Sequence, residues 1–178
     1  STLFPYTTLF RSPYRQRVFD ITEHWHLLLR GEVAGSIVGE ASELPGSYRF
    51  FAGGDNSVRG FGYNDLSPAQ EQLVRNPETG EFRMESVLVG GKHMITGTFE
   101  VIRDLPRNLG IAVFFDFGNA FDEFGESPDP NDPDYLEYSA GLGFRYRLPV
   151  VTVGVDVAQP LSEPGAGPRF HINFSPKL

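Results

Sequence analysis

Strict alternation of apolar and polar residues runs through most of the chain after residue 13 and constrains the fold more than any other feature. In the stretch 151–159, four valines alternate with Thr152, Gly154, Asp156 and Ala158. Because successive side chains of a strand point to opposite faces, a run of this length indicates a strand with one apolar and one polar face. Similar runs cover Trp25–Val38, Met94–Ile102, Ile111–Gly118, Tyr138–Leu148 and Phe170–Phe174, with a partial run over Gln16–Thr22.

The length and composition of these runs favour a membrane protein. About ten residues is the length of a strand that crosses a bilayer at a tilt, and the apolar faces are rich in Val, Leu, Ile and Phe. We therefore expect an all-β fold of about seven antiparallel strands from a transmembrane β-barrel. A soluble β-sandwich is the alternative, but sandwich strands are usually shorter.

The connections between the runs alternate in length, as they do in outer-membrane barrels. The segments 104–108 and 148–150 are short, whereas 40–90 and 121–135 are long. The acidic, Pro-rich stretch Glu126–Tyr135 is expected to be a solvated extracellular loop, with a calcium site as a weaker alternative. Because bacterial barrels are closed and have even strand numbers, about seven strands indicate the C-terminal portion of a larger barrel.

The first twelve residues are treated separately. The run Thr2–Ser12 resembles the in-frame translation of a sequencing adapter, so we expect residues 1–12 to be an artefact and residues 13–178 to be the barrel portion. The alternative is a genuine β-prone segment.

Composition and motifs argue against several functions. The formal net charge of −8 is unfavourable for nucleic-acid binding, and the absence of cysteine excludes thiolate chemistry. No G-x-S-x-G turn or phosphate-binding loop is present. His24 and His26 share one strand face but lack a third metal ligand nearby, and His93 and His171 lie on other segments. We expect no enzymatic activity, no metal, no cofactor and no nucleic-acid partner.

The most informative segment is Tyr48–Pro68, within a long loop that we place at about residues 41–90. A loop of this length in a compact protein is normally functional or disordered, and this one is too aromatic for disorder. The lumen of a wide barrel would accommodate its aromatic side chains. Arg59 would then lie among carboxylates that face the lumen, whereas a solvent-exposed Arg59 on a mobile loop is the alternative.

The loop contains a glycine pair followed by a short Val-Arg-Gly-Phe motif, formed by Gly53, Gly54, Val58, Arg59, Gly60 and Phe61. These residues resemble the sixth-loop signature of the outer-membrane assembly factor superfamily (bacterial surface antigen domain), and the form RFFAGGDNSVRGFGY is most similar to its translocation and assembly module (TamA) branch. The segments Gly90–Glu100 and Phe114–Asn119 resemble the following strands of the family, and Ile172–Leu178 resembles the TamA ending. The resemblance covers about residues 14–178.

The resemblance implies specific contacts. In this family the loop folds into the lumen, and its arginine contacts the aspartate of an F-x-D motif; here, that implies a pair between Arg59 and Asp116, with Glu100 nearby. Alternation independently places Phe114, Asp116 and Glu100 on the polar face. A guanidinium suits bidentate contact with a carboxylate.

The resemblance also implies a function. It implies a sixteen-stranded barrel in the bacterial outer membrane that inserts or translocates proteins without an enzymatic step. Its partners would be the lipid bilayer, unfolded outer-membrane or autotransporter clients, and an inner-membrane or periplasm-spanning subunit. Two alternatives stay open: a two-partner-secretion transporter and the barrel domain of a patatin-like phospholipase. The modules encoded upstream of residue 13 would distinguish them.

The last strand is expected to form a weak seam. Phe170, Ile172 and Phe174 face outward in the run Phe170–Phe174, and Pro176 lacks the N–H that pairing needs, so pairing should fail just past Phe174. A short seam can open sideways and present an edge to a client strand, which is the mechanism proposed for the family. A plain terminal strand that carries an assembly signal is the alternative.

Overall fold

Strands account for most of the chain in the computed structural model, which describes residues 8–11, 15–38, 44–76, 80–123 and 136–176. No helix in this part of the chain has both the length and the apolar character needed to cross a membrane. The strands are β1 (Thr8–Arg11), β2 (Arg15–Thr22), β3 (Trp25–Ile37), β4 (Ala69–Arg75), β5 (Phe82–Leu88), β6 (His93–Leu105), β7 (Leu109–Phe121), β8 (Glu137–Arg147), β9 (Val151–Pro160) and β10 (Arg169–Pro176).

The main sheet is antiparallel and follows chain order apart from one insertion. Its order is β2–β3–β6–β7–β8–β9–β10, with β4 and β5 forming a separate two-stranded sheet. The expected all-β fold with about seven antiparallel strands is thus confirmed. The partial run that begins near Gln16 is a full strand, since Arg15–Thr22 pairs with β3 over seven positions.

The edge of the sheet at β2 is extended by β1. Thr8 pairs with Ile37 and Arg11 with Ala34, so β1 lies against the far end of β3. Residues 1–7 and 12–14 lie outside the described part of the chain. Backbone pairing demands no particular side chains, so the origin of residues 1–12 stays a prediction.

The two faces of the sheet have the reverse of the usual polarity. On β7 and β9, Phe115 and Val155 are 40% and 44% exposed, whereas Asp116 and Asp156 are completely buried. We call the face with the buried polar groups the inner face and the other the outer face. A soluble fold would bury the apolar face. An apolar outer face around a polar interior is the arrangement of a transmembrane barrel.

The connections also separate by length. The short ones are 23–24, 106–108 and 148–150, and they all lie at one end of the sheet. The long ones are 38–92, 122–136 and 161–168, and they lie at the other end, as predicted from the sequence. The expected extracellular loop Glu126–Tyr135 lies outside the described residues.

The long loop contains regular structure that the sequence did not predict. A β4–β5 hairpin interrupts it, closed by a hydrogen bond of 2.8 Å from the Asn76 N–H to the Glu81 carbonyl. The hairpin is exposed on both faces, and Leu73, Phe82 and Met84 are each more than half exposed. Without a buried face there is little selection for alternation, which explains why periodicity did not reveal it.

The final strand corrects one expectation. Pairing between β10 and β9 does not stop after Phe174 but continues to Pro176, opposite Val151. The Val151 carbonyl accepts a 2.8 Å hydrogen bond from Leu148 on the β8 side. The N–H and C=O of one strand residue point to the same side, so Val151 directs both toward β8 and forms a non-hydrogen-bonded pair with Pro176. The backbone groups of Pro176 therefore point away from β9. The donor that Pro176 lacks is therefore missing from the open edge of β10.

Candidate functional site

The tip of the long loop, residues 50–66, lies against the inner face. Two antiparallel backbone bridges close it, Phe50 with Gly91 and Ala52 with Leu66, with hydrogen bonds of 2.8–3.0 Å. Apolar side chains of the loop then pack with three small or flexible residues of the sheet. This cluster consists of Phe50, Ala52, Val58, Phe61 and Leu66 from the loop with Ala34, Met94 and Ala120 from β3, β6 and β7.

Glycine is required at two points of this path. Gly53 and Gly60 both have positive φ angles, 100° and 93°, which L side chains rarely adopt. At Gly60 a Cβ would also lie 3.1 Å from the Cβ of Ser139 and 3.2 Å from the nitrogen of Pro160. The close approach of the loop to β8 and β9 therefore depends on the missing side chain. The neighbouring signature residues Gly54, Val58 and Phe61 all lie in the same buried turn.

Arg59 lies at the centre of the inner face and is 2% exposed. Its Nε donates to Asp116 Oδ2 at 2.7 Å and its Nη2 to Asp116 Oδ1 at 3.0 Å, which forms a bidentate pair. Its Nη1 donates to Glu100 Oε2 at 3.0 Å. The guanidinium carbon lies 3.4 Å from the centre of the Phe114 ring, a cation–π contact. The structure thus brings together the three inner-face residues singled out in the sequence.

The electrostatic setting keeps Arg59 charged. Burial alone would lower the pKa of the guanidinium. The hydrogen bonds that Arg59 donates to Asp116 and the charges of Asp116, Glu100 and Asp156 outweigh burial and hold that pKa above its ordinary value. The Arg59 backbone N–H also donates to Asp116 Oδ2 at 3.1 Å, and Ser139 donates to the Arg59 carbonyl. Side chain and backbone of Arg59 are therefore fixed together.

Two further residues of this cluster were not singled out in the sequence. Asp156 on β9 accepts from Arg59 Nη1 at 2.8 Å and also from Arg145 of β8. Arg145 Nη2 donates to Glu100 Oε1 at 2.6 Å. The cluster therefore pairs two arginines with three carboxylates. Alternation assigns Arg145 and Asp156 to the polar face, but it does not show that they lie at the level of Arg59.

The inner face of β10 also contacts the loop. Asn173 Nδ2 donates to Asp156 Oδ2 at 2.7 Å, and Arg169 Nη1 donates to Asp65 Oδ2 at 3.1 Å. The Gly60 N–H donates to His171 Nε2 at 2.8 Å. Because a backbone amide can only donate, Nε2 must accept, so the imidazole proton lies on Nδ1, which faces Asp55 at 2.5 Å.

The predicted terminal-strand residues lie on the opposite face from these contacts. Phe170, Ile172 and Phe174 are 78%, 57% and 71% exposed on the outer face. These apolar residues were predicted from the sequence, whereas the functional contacts of the polar residues between them were not. The usable signal was the alternation itself, since it places Arg169, His171 and Asn173 on the face that carries the loop.

A second polar cluster lies on the inner face near the short turns. His26 Nδ1 contacts Asp20 Oδ1 at 2.6 Å and its Nε2 contacts Asp104 Oδ2 at 3.1 Å. Arg147 contacts the other oxygen of Asp104 at 2.5 Å. Within the described ranges, no three His, Asp or Glu side chains are arranged to hold a metal ion. The cluster links β2, β3, β6 and β8 by ion pairs.

An apolar outer face, a charged interior and a loop folded onto that interior define the chain as part of a transmembrane β-barrel. An Omp85 superfamily domain matches residues 8–176, and the chain belongs to that superfamily. Its members lie in the outer membrane of bacteria, and this chain does so as well. The predicted superfamily is confirmed, whereas the placement in the TamA branch stays a prediction.

Two individual proteins resemble the chain. The outer membrane protein assembly factor BamA of Nitratidesulfovibrio vulgaris is 33% identical over 151 residues, which cover 83% of this chain and 17% of BamA. The crystal structure of BamA from Haemophilus ducreyi lacking POTRA domains 1–3 superposes with a TM-score of 0.63 at 20% identity. It covers 89% of this chain and 32% of that one. The chain thus spans a small part of these relatives' length.

Proposed function

We propose that the chain is the C-terminal portion of a barrel that inserts or assembles outer-membrane proteins without a chemical step. Client strands would add to the open edge of β10 and pass from there into the bilayer. The proposal draws on the relationship to BamA, which is described as an outer membrane protein assembly factor. The partners would be the lipid bilayer and unfolded outer-membrane or autotransporter clients, with an inner-membrane subunit as a further one.

The observation that carries this proposal is the state of β10. Among the described strands it pairs with β9 alone, so in a closed barrel its other edge would meet a strand that this chain does not include, and opening of that seam would leave backbone groups of β10 unpaired. Such an edge is a template for another strand. At Pro176 this edge lacks a donor, so a strand paired there would be held less tightly at its end. A weak seam is what lateral release of a client requires.

The loop stabilises the part of the sheet that lies next to this seam. Its signature residues lie under the sheet, and Arg59 links β6, β7 and β9 through Glu100, Asp116 and Asp156. Breaking a buried ion pair by removal of one partner typically costs about 3–5 kcal/mol. We infer that this cluster keeps the wall beside β10 rigid while the seam opens and closes.

Photo-crosslinking tests the proposal at matched positions. A photoreactive residue is placed at Phe174 on β10 or at Val153, its cross-strand partner on β9, in the full-length protein that contains this chain. Both positions lie on the outer face at the same level, but only β10 has an open edge. During insertion of an unfolded barrel client into liposomes, we expect crosslinks to the client from position 174 and few from position 153.

Equal crosslinking from both positions would contradict addition at the β10 edge. The same reconstitution separates the alternatives. A secretion transporter would move a soluble partner across the liposome instead of inserting a client. A phospholipase would release fatty acid from the liposomes.

A further inference from the structure

The charges on the outer face of the main sheet are all of one sign. The chain as a whole has a net charge of −8. Yet within the described strands of the main sheet, the charged residues at outer-face positions are Arg15, Arg17 and Arg103, and no carboxylate lies among them. The chain is acidic overall, but the charged side chains on its lipid-facing surface are all cationic. This contrast points to an anionic partner in the membrane.

The position of Arg15 along its own strand places it in the outer leaflet. Arg15 is the first residue of β2, at the end away from the short turn 23–24, and so it lies toward the end of the sheet from which the long connections leave. It pairs with Gly31 of β3, which in turn pairs with Gly97 of β6. Long loops of outer-membrane barrels are extracellular, so Arg15 lies in the half of the sheet that faces the outer leaflet.

Arg17 lies two residues further along β2, opposite Leu29, on the same face as Arg15. Two residues of a strand on one face are about 7 Å apart. An arginine within an apolar band is costly unless its charge is matched, and a phosphate accepts two parallel hydrogen bonds from a guanidinium. Phosphate is the anion available at this depth of a bilayer.

An apolar notch adjoins Arg15. Two glycines face each other across β3 and β6, and a Cβ at Gly31 would meet only the Thr96 carbonyl oxygen, at 3.7 Å. The Gly97 side of the notch is instead covered by the Phe117 ring. The notch has a volume of about 260 Å³, and its walls include Arg15, Leu29, Val33, Ile95, Phe99 and Phe117.

We propose that this notch and the two arginines form a binding site for lipopolysaccharide in the outer leaflet. The phosphates of its lipid A would be held by Arg15 and Arg17, and one acyl chain would lie over Gly31 between the side chains of β3 and β6. Because Arg15 and Arg17 lie about 7 Å apart on one face, both guanidinium groups can reach one phosphate of such a lipid. This inference rests on the membrane location and not on the proposed assembly function.

Lipid A binding to the full-length protein in nanodiscs tests the site. Arg15→Gln with Arg17→Gln should weaken binding of purified lipid A by about tenfold or more, since hydrogen bonds between charged groups are the strong ones. Gly31→Leu places a side chain in the notch, where the added Cβ would meet only the Thr96 carbonyl oxygen at 3.7 Å, and should weaken binding several-fold while leaving the arginines in place. The matched control is Arg103→Gln at the opposite end of the sheet, which should leave binding unchanged.

Two results would overturn the site. One is lipid A binding to the double variant and to Gly31→Leu at the wild-type level. The other is equal binding of phosphatidylglycerol, since the site would then read any anionic lipid. Heat-dependent mobility on gels verifies folding, and because Gly31→Leu retains both arginines, it decides the matter even if the double variant fails to fold.

Discussion

The two edge strands of the main sheet, β2 and β10, differ in how their inner faces are held. Each pairs with one neighbour among the described strands. The outer face of β10 is apolar, whereas that of β2 carries Arg15 and Arg17 beside Phe19. On β10, Arg169, His171 and Asn173 contact the loop or the carboxylate cluster that holds it. On β2, Asp20 contacts His26 of the adjacent strand.

The loop contacts the β10 edge of the sheet directly. The contacts of β10 span more than 100 positions in sequence, from Asp55 and Gly60 to His171. The contact between Asp20 of β2 and His26 spans six positions. We therefore expect that disturbing the loop loosens β10 and leaves β2 almost unaffected.

The largest effect is expected from Arg59→Ala. The substitution leaves Asp116, Glu100 and Asp156 buried with only Arg145 to balance them, which should destabilise the barrel by about 3–5 kcal/mol. Urea unfolding of the full-length protein in detergent measures this loss. Hydrogen exchange should rise in β10 and stay unchanged in β2.

Asp116→Ala serves as the partner in a double-mutant cycle. Because both groups form one bidentate pair, the double variant should lose clearly less stability than the two single losses combined. Arg83→Ala in the exposed hairpin is the matched control and should change stability by less than about 0.5 kcal/mol. Additive losses for Arg59 and Asp116 would show that the pair is not coupled.

An intermediate effect is expected from His171→Leu. It removes the acceptor for the Gly60 N–H and the donor for Asp55, and an unsatisfied buried amide costs about 1–3 kcal/mol. Protease cleavage within residues 50–66 should become faster, and exchange in β10 should rise. His171→Gln supplies a new acceptor and should restore part of the loss, while His24→Leu in the exposed turn should have no effect.

If His171→Leu raised exchange equally in β2 and β10, the loop would act on the whole barrel, and the contrast between the two edges would be lost. If it raised exchange in neither, the contacts of β10 would not carry stability.

The faces of the strands could be predicted from the sequence because alternation is a local property. It correctly assigned Phe115 and Val155 to the outer face and Asp116 and Glu100 to the inner one. The seven main strands followed from the same signal. The bounds were less certain where the pattern weakened, as at Arg15, the first residue of β2.

Alternation could not predict which residues of different strands lie side by side across the sheet. Alternation gives the face of Asp156 but not its height relative to Arg59, which depends on the register of several strands and on the path of the loop. His171 was missed for the same reason, since 111 positions separate it from Gly60. The exposed β4–β5 hairpin was missed for the opposite reason, because it has no buried face to impose a pattern.

The smallest effect is expected from Asp20→Asn, and it tests the other side of the comparison. Asp20 is 79% exposed at its side chain and its partner His26 keeps a second carboxylate, Asp104, at 3.1 Å. Exposed ion pairs contribute about 0.2–1 kcal/mol, so the free energy of unfolding should fall by no more than that. Exchange should rise within β2 and its turn, and the loop should stay as protected as in the wild type. If Asp20→Asn lowered the free energy of unfolding as much as His171→Leu does, the β2 edge would be held as firmly as the β10 edge. The inner-face contacts of β10 would then be no reason to assign the seam to that strand.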